Sequence, residues 1–138
     1  VLSSEVKDLY ESENMNTPFV SGTIVALTPS EEKFLKDLVD FTEKEWRKTC
    51  LNADDFIRFF GYSRSGLYRR IVGLTGKSIN SYLKDYRLRK SLKLLNKKNL
   101  NISEVAFETG FNSPAYFSKC FQETFGILPS QYIKSGHS

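Results

Sequence analysis

Two short segments of the chain carry polar and small side chains at spacings that could form one outward, hydrogen-bonding face each. The first segment offers Ser63, Arg64, Ser65, Tyr68 and Arg69, and the second offers Ser113, Pro114, Ala115, Ser118, Lys119 and Gln122. An arginine such as Arg69 can donate two parallel hydrogen bonds to guanine, serines can donate or accept, and Ala115 can pack on a thymine methyl group. Three cations could hold phosphates: Arg64, Arg70 and Lys119. This chemistry is typical of side chains that read duplex DNA.

A longer pattern that occurs twice must position these side chains. Glycines, serines and apolar residues recur at offsets of 49 or 50 residues: Gly61/Gly110, Ser63/Ser113, Leu67/Phe117, Ile71/Phe121 and Gly76/Gly126. Glycine suits the left-handed residue that ends a helix, and serine suits the cap that begins the next one. The pattern therefore predicts two helix-turn-helix units, the second with a turn one residue longer.

Each predicted second helix has an apolar face and a polar face. Phe117, Cys120, Phe121, Thr124 and Phe125 share one face in the second copy, as do Leu67, Ile71 and Leu74 in the first. In a helix-turn-helix the opposite face of this helix enters the DNA major groove. One copy alone could equally be an ordinary helical hairpin, but two copies with matched caps favour DNA reading.

The remaining helix signals predict an all-α fold. Helices are expected from Ser30 to about Lys48, over 53–60, from Ser63 to about Gly73, from Ile79 to about Asn96, after a Ser103 cap, over 114–125, and over 129–133. The predicted organisation is a linker or arm over 1–29, a DNA-binding domain over 30–134 and a frayed tail over 135–138. Within the domain, the first helix-turn-helix spans about 53–75, a linker helix about 78–96, and the second helix-turn-helix about 103–125.

Charge is distributed unevenly along the chain. Residues 1–60 carry 7 basic and 12 acidic residues, a net charge of −5, whereas residues 61–138 carry 13 and 4, a net charge of +9. A basic half indicates a polyanionic partner, although basic residues can also simply solvate helix faces.

Cys50 and Cys120 lack metal-site spacing and are interpreted as reduced thiols of a cytoplasmic protein. No apolar run reaches the length of a membrane span, and no cofactor is expected.

Several of these stretches also resemble a known family. Residues 87–95, 101–106, 110–121 and 125–132 are similar to the signature of the AraC/XylS family of bacterial transcription regulators, and residues 61–70 and 74–78 are similar to that family's first motif. The resemblance covers roughly residues 30–134. The sequences of residues 30–35 and 63–69 look closest to those of the output domains of hybrid two-component regulators.

The resemblance implies a seven-helix domain in which a long linker helix joins two helix-turn-helix subdomains. It also implies promoter binding, transcription activation and contact with RNA polymerase. As an output domain, the chain is expected to dimerise through regions outside it and to belong to a longer membrane-anchored sensor protein. In such proteins the equivalents of Ser65, Tyr68 and Arg69, and of Pro114, Ala115, Ser118 and Lys119, face bases or phosphates. A freestanding monomeric activator is the alternative within this family.

Three other classes of function are less consistent with the residues. Catalysis is disfavoured because the one histidine, His137, lies at the expected frayed end and the acids are scattered. A helical protein-interaction module would not need a basic half or paired reading helices. RNA or single-strand binding would need exposed aromatic platforms, whereas Phe107, Phe111 and Phe117 are expected in the core.

Overall fold

Only helices occur in the part of the chain that the structure, a computed structural model, describes: residues 27–97 and 99–134. There are seven: α1 Pro29–Glu45, α2 Ala53–Phe60, α3 Arg64–Thr75, α4 Ile79–Leu95, α5 Ile102–Glu108, α6 Pro114–Phe125 and α7 Pro129–Lys134. The all-α class predicted from the sequence is confirmed. Most of the predicted arm (residues 1–26) and the predicted tail (135–138) lie outside the described residues.

The first helix begins at a reciprocal cap. Thr28 Oγ1 accepts a hydrogen bond from the Glu31 amide at 3.1 Å, Glu31 Oε1 accepts one from the Thr28 amide at 2.9 Å, and Pro29 takes the first helical position. The helix ends at Glu45, three residues before the predicted Lys48. The Lys48 carbonyl instead accepts a hydrogen bond from Arg87 Nη2 at 2.6 Å.

Two predicted helix limits in the repeated units are wrong. Helix α5 is capped by Asn101 and not by Ser103: Asn101 Oδ1 accepts from the Glu104 amide at 2.8 Å, and Glu104 Oε1 accepts from the Asn101 amide at 2.9 Å. A cap at Ser103 would place Ala106 at the third helical position, where the side chain must accept the reciprocal hydrogen bond. Alanine has no such acceptor, and the helix therefore begins after Asn101. Helix α3 continues past the predicted Gly73 and ends at Thr75. Gly76, whose φ is 76°, is its C-terminal cap.

The chain divides into two compact units. Of the described residues, the first unit contains 27–46 and 50–84, and the second unit contains 47–49, 85–97 and 99–134. Helix α4 is continuous in the chain from one unit to the other. Each unit therefore contains one helix-turn-helix: α2 and α3 in the first, α5 and α6 in the second.

Each unit has its own apolar core. In the first unit the fully buried side chains come from α1, α2 and α3: Leu38, Phe56, Leu67 and Ile71. The core of the second unit is a chain of aromatic rings, with centroid separations of 5.2 Å for Phe111–Phe117, 5.8 Å for Phe117–Phe121 and 4.6 Å for Phe121–Phe125. These cores fix the rotation of α3 and α6 about their own axes, and so decide which residues face outward.

One aromatic residue expected in the core is outside it. Phe107 is 55% exposed, whereas Val105 and Ala106, beside it on α5, are fully buried. Val105, Ala106 and Thr109 form the inward face of this short helix at helical spacing, and Phe107 points away from them. The expectation of a buried Phe107 is therefore wrong, while the burial of Phe111 and Phe117 is confirmed.

Candidate nucleic-acid interface

Helix α3 presents its polar residues on the face opposite its buried one. Leu67 and Ile71 are fully buried, and the Thr75 hydroxyl donates to the Ile71 carbonyl at 2.6 Å inside the unit. The four outward residues predicted on this helix are all exposed: Arg64, Ser65, Tyr68 and Arg69. Leu74, predicted on the inward face, is half-buried, and so is Val72. The first unit thus offers two guanidinium groups, a hydroxyl and a phenol on one solvent-facing surface.

Helix α6 repeats this arrangement with different chemistry. Phe117, Cys120, Phe121 and Phe125 are buried, as their spacing predicted. On the other side Ala115, Lys119 and Gln122 are exposed, while Pro114 and Ser118 are half-buried. This surface offers one cation, one amide and small side chains, so it has fewer hydrogen-bonding groups than the surface of α3.

The two predicted serines at the helix starts act as caps. Ser63 Oγ accepts from the Gly66 amide at 3.1 Å, and Ser113 Oγ accepts from the Tyr116 amide at 3.0 Å. Ser63 is exposed and Ser113 is half-buried. Each cap holds the first turn of its helix in place, where backbone amides and the helix dipole favour an anion.

Arg64, the first residue of α3, does not stand alone. Its Nη2 donates to Asp54 Oδ1 on α2, and the two side chains are 68% and 57% exposed. Asp54 was not predicted from the sequence, because the contact joins two helices across a turn and follows no helical spacing. The only available signal was an acid in the first turn of α2 and a base in the first turn of α3.

Arg70, a predicted phosphate ligand, packs against the aromatic residues of its unit. Its guanidinium carbon lies 4.6 Å from the centroid of the Tyr62 ring and 6.0 Å from that of Phe34. Such contacts between a guanidinium and ring faces are favourable. At the offset of 50 the counterpart of Arg70 is Cys120, which is buried. Arg70 therefore lies on the border between the core face and the outward face.

Tyr116 is an exposed residue in the first turn of α6 that was not among the predicted site residues. It is 51% exposed, and its ring lies 6.0 Å from that of Phe111. A hydrogen bond with the Cys120 side chain is the main cause that raises the pKa of the Tyr116 hydroxyl above its ordinary value. Its counterpart in the first unit is Gly66, so the two outward surfaces differ here as well.

Other kinds of site have little support in the described residues. Within residues 27–97 and 99–134, His, Cys, Asp and Glu side chains form no group of three or more that could hold a metal ion. No helix in that part of the chain is long and apolar enough to cross a membrane.

Comparisons with known proteins agree with this geometry. A family model described as a helix-turn-helix domain matches residues 57–135. Over 85% of its length the chain is 31% identical to histidine kinase P4 of Formosa agariphila, of which it covers 8%. The first curated relatives that it matches are covered over 8% to 32% of their lengths.

Solved structures show the same fold. The C-terminal domain of AraT, a response regulator from Geobacillus stearothermophilus, superposes with a TM-score of 0.69 at 26% identity, over 80% of this chain and 88% of that one. An AraC-type transcriptional regulator from Chromobacterium violaceum gives a TM-score of 0.71 at 24% identity, over 78% and 96%. The chain therefore belongs to the AraC-type helix-turn-helix transcription regulators, a family of DNA-binding domains and not of enzymes.

Proposed function

We propose that this chain is the DNA-binding output domain of a bacterial two-component transcription activator and reads its site with α3 and α6. The observation that carries the proposal is the pair of exposed helix faces, each opposite a buried core face. Polar and cationic groups on a helix that is held this way can reach base edges and phosphates in the major groove.

The two helices would contribute unequally to recognition. On α3, Arg69 would donate to guanine, Ser65 and Tyr68 would contact further bases, and Arg64 would hold a phosphate. On α6, Lys119 would hold a phosphate, and Ser118 and Gln122 would make the polar base contacts. The side chains of Pro114 and Ala115 form no hydrogen bonds, so they would contact thymine methyl groups and respond to the shape of the groove. As helix caps, Ser63 and Ser113 would hold the backbone amides of the two first turns where they can donate hydrogen bonds to DNA phosphates.

The wider context of the proposal rests on the kinds of protein that the chain matches. One is named a histidine kinase and another a response regulator, which favours an output domain controlled by phosphorylation elsewhere in a longer protein. In that setting the protein would act in the cytoplasm, dimerise through regions outside this chain and contact RNA polymerase. A freestanding monomeric activator is the second candidate, and equal affinity of this chain and the longer protein would favour it.

Selection from a pool of random duplexes tests the proposed readout. The wild-type chain should enrich a defined sequence, and Arg69→Ala should lose preference at one position of it at a cost of about 1–3 kcal/mol, because one pair of bonds to guanine is removed. Arg64→Ala is the matched control. It should weaken binding to all sequences without changing the enriched sequence. The slope of the logarithm of affinity against the logarithm of salt concentration should become shallower by up to about 0.9.

Two results would count against this assignment. A changed sequence preference in Arg64→Ala would mean that Arg64 contacts bases. Enrichment of no sequence, with affinity that does not fall as salt rises, would favour the alternative of a helical protein-interaction module, since binding to a DNA backbone is strongly salt-dependent.

A further inference from the structure

Asp54 places a negative charge beside a cation of the proposed DNA-binding surface. Its Oδ1 accepts a hydrogen bond from Arg64 Nη2, and both side chains are more than half exposed. Arg64 occupies the first position of α3, where the helix dipole disfavours a positive charge. The carboxylate of Asp54 offsets that charge while no DNA is present.

The helix cap does not need the Asp54 carboxylate. Asn52 caps α2 by accepting from the Asp54 backbone amide at 2.9 Å, and the neighbouring acid, Asp55, supplies the reciprocal side-chain acceptor at 3.0 Å. In the second unit the counterparts of Asp54 and Arg64 are Ser103 and Pro114, which carry no charge. The ion pair is thus a feature of the first unit alone among the two copies, and the shared helix-turn-helix architecture does not require it.

We propose that Asp54 is an internal counterion that a DNA phosphate must displace from Arg64. The inference rests on the proposed function, in which Arg64 holds a phosphate. When a DNA phosphate binds Arg64, the Asp54 carboxylate is left unpaired near the DNA backbone and binds a cation from solution. That uptake offsets part of the counterion release that drives backbone binding. Asp54 therefore lowers affinity for every duplex and makes binding depend more on base contacts.

Asp54→Asn tests this role on two duplexes, the selected sequence and a scrambled one, across a range of salt concentrations. The substitution should raise affinity for both by about 1.5- to 5-fold at low salt, as expected for an exposed ion pair. The logarithmic salt dependence should become steeper by up to about 0.9, because no cation is taken up. The preferred sequence should not change.

Three further variants separate the counterion role from simpler effects. Asp40→Asn on α1 removes the same charge from an acid paired with Lys36 at 2.8 Å, and it should raise affinity less than Asp54→Asn does. In an Arg64→Ala background, Asp54→Asn should raise affinity no more than Asp40→Asn does. Asp54→Ser installs the residue of the second copy, and it should reproduce the gain even if the Asn variant folds poorly.

Other results would overturn the proposal. Weaker binding by both Asp54 variants would mean that Asp54 aims Arg64 at the phosphate. An equal gain in the Arg64→Ala background would mean that Asp54 repels DNA directly, and no change would mean that the ion pair has no role in binding. If Arg64→Ala itself leaves affinity unchanged with either residue at position 54, the phosphate assignment of the proposed function fails first.

Discussion

Phe107 and Phe117 occupy opposite environments within the same helix-turn-helix. Phe107 is 55% exposed on α5, whereas Phe117 is fully buried on α6 between Phe111 and Phe121. Phe117→Ala should therefore lower the free energy of unfolding by about 3–5 kcal/mol through the cavity it leaves. The matched change Phe107→Ala should alter it by less than about 1 kcal/mol. Chemical denaturation of both variants measures the difference.

A stable Phe117→Ala protein that has lost only DNA binding would show that the outward face of α6 has been assigned the wrong way round. A large loss of stability in Phe107→Ala would mean that this ring packs against something in solution that the second unit does not supply.

Single residues were predicted well where a long helical period supported them. The burial of Phe117, Cys120 and Phe121 followed from their spacing along a helix of 12 residues. Phe107 lies on a helix of 7 residues in which Val105, Ala106 and Phe107 are consecutive apolar residues. So short a helix does not define a period, and the inward face is set by tertiary packing. The Asp54–Arg64 contact was likewise invisible, because it depends on how one helix is turned against the next.

At the scale of helices and turns, the glycine that ends the first helix of each repeat has a different neighbourhood in the two units. Gly61 and Gly110 both have positive φ, 75° and 88°. A Cβ on Gly61 would meet no atom within 4 Å, whereas a Cβ on Gly110 would lie 2.8 Å from Arg87 Nε. Backbone strain is therefore common to both positions, and steric conflict belongs to Gly110 alone.

Three alanine substitutions should separate these effects by thermal or chemical unfolding. Gly61→Ala should destabilise the protein by about 1–2 kcal/mol, the cost of a left-handed conformation. Gly110→Ala should cost more, because Arg87 must also move away from its bond to the Lys48 carbonyl. Gly73→Ala, inside α3 with no atom within 4 Å, should stabilise by up to about 1 kcal/mol. Equal losses at Gly61 and Gly110 would show that Arg87 yields at no cost.

Helix existence and order were predictable from the sequence, but some helix starts were not recognised. The reciprocal cap of Asn52 with Asp55 recurs at Asn101 with Glu104, at the same offset of 49 as Gly61 and Gly110. The repeat thus extends to the caps, and Ser103 was preferred only because serine is a common cap residue. At the other helix ends, Gly126 gave the stop signal correctly, whereas α3 was expected to end near Gly73 and is capped at Gly76; both capping glycines adopt left-handed conformations.

For the whole molecule, the charge distribution predicted a polyanionic partner but not which cations would meet it. Part of the positive charge is engaged within the protein, as with Arg64 on Asp54, Arg58 on Asp55 and Arg70 over Tyr62. Exposed Arg69 and Lys119 occupy the same position in the two repeats, at an offset of 50. They are therefore the matched pair with which to ask whether both units bind DNA at once.

Combining Arg69→Ala with Lys119→Ala tests simultaneous binding on the duplex that the wild-type chain selects. Arg69→Ala should cost about 1–3 kcal/mol with loss of preference at one base pair, and Lys119→Ala should cost less and weaken binding to all sequences alike. The two residues lie in different units, so the losses should add to within about 0.5 kcal/mol in the double variant if the two units bind independently. If only one helix engages the duplex, the change in the other unit will have no effect alone or in combination. A double variant no weaker than Arg69→Ala would mean that α6 leaves the DNA once α3 loses its base contact, so that the second unit depends on the first for its docking.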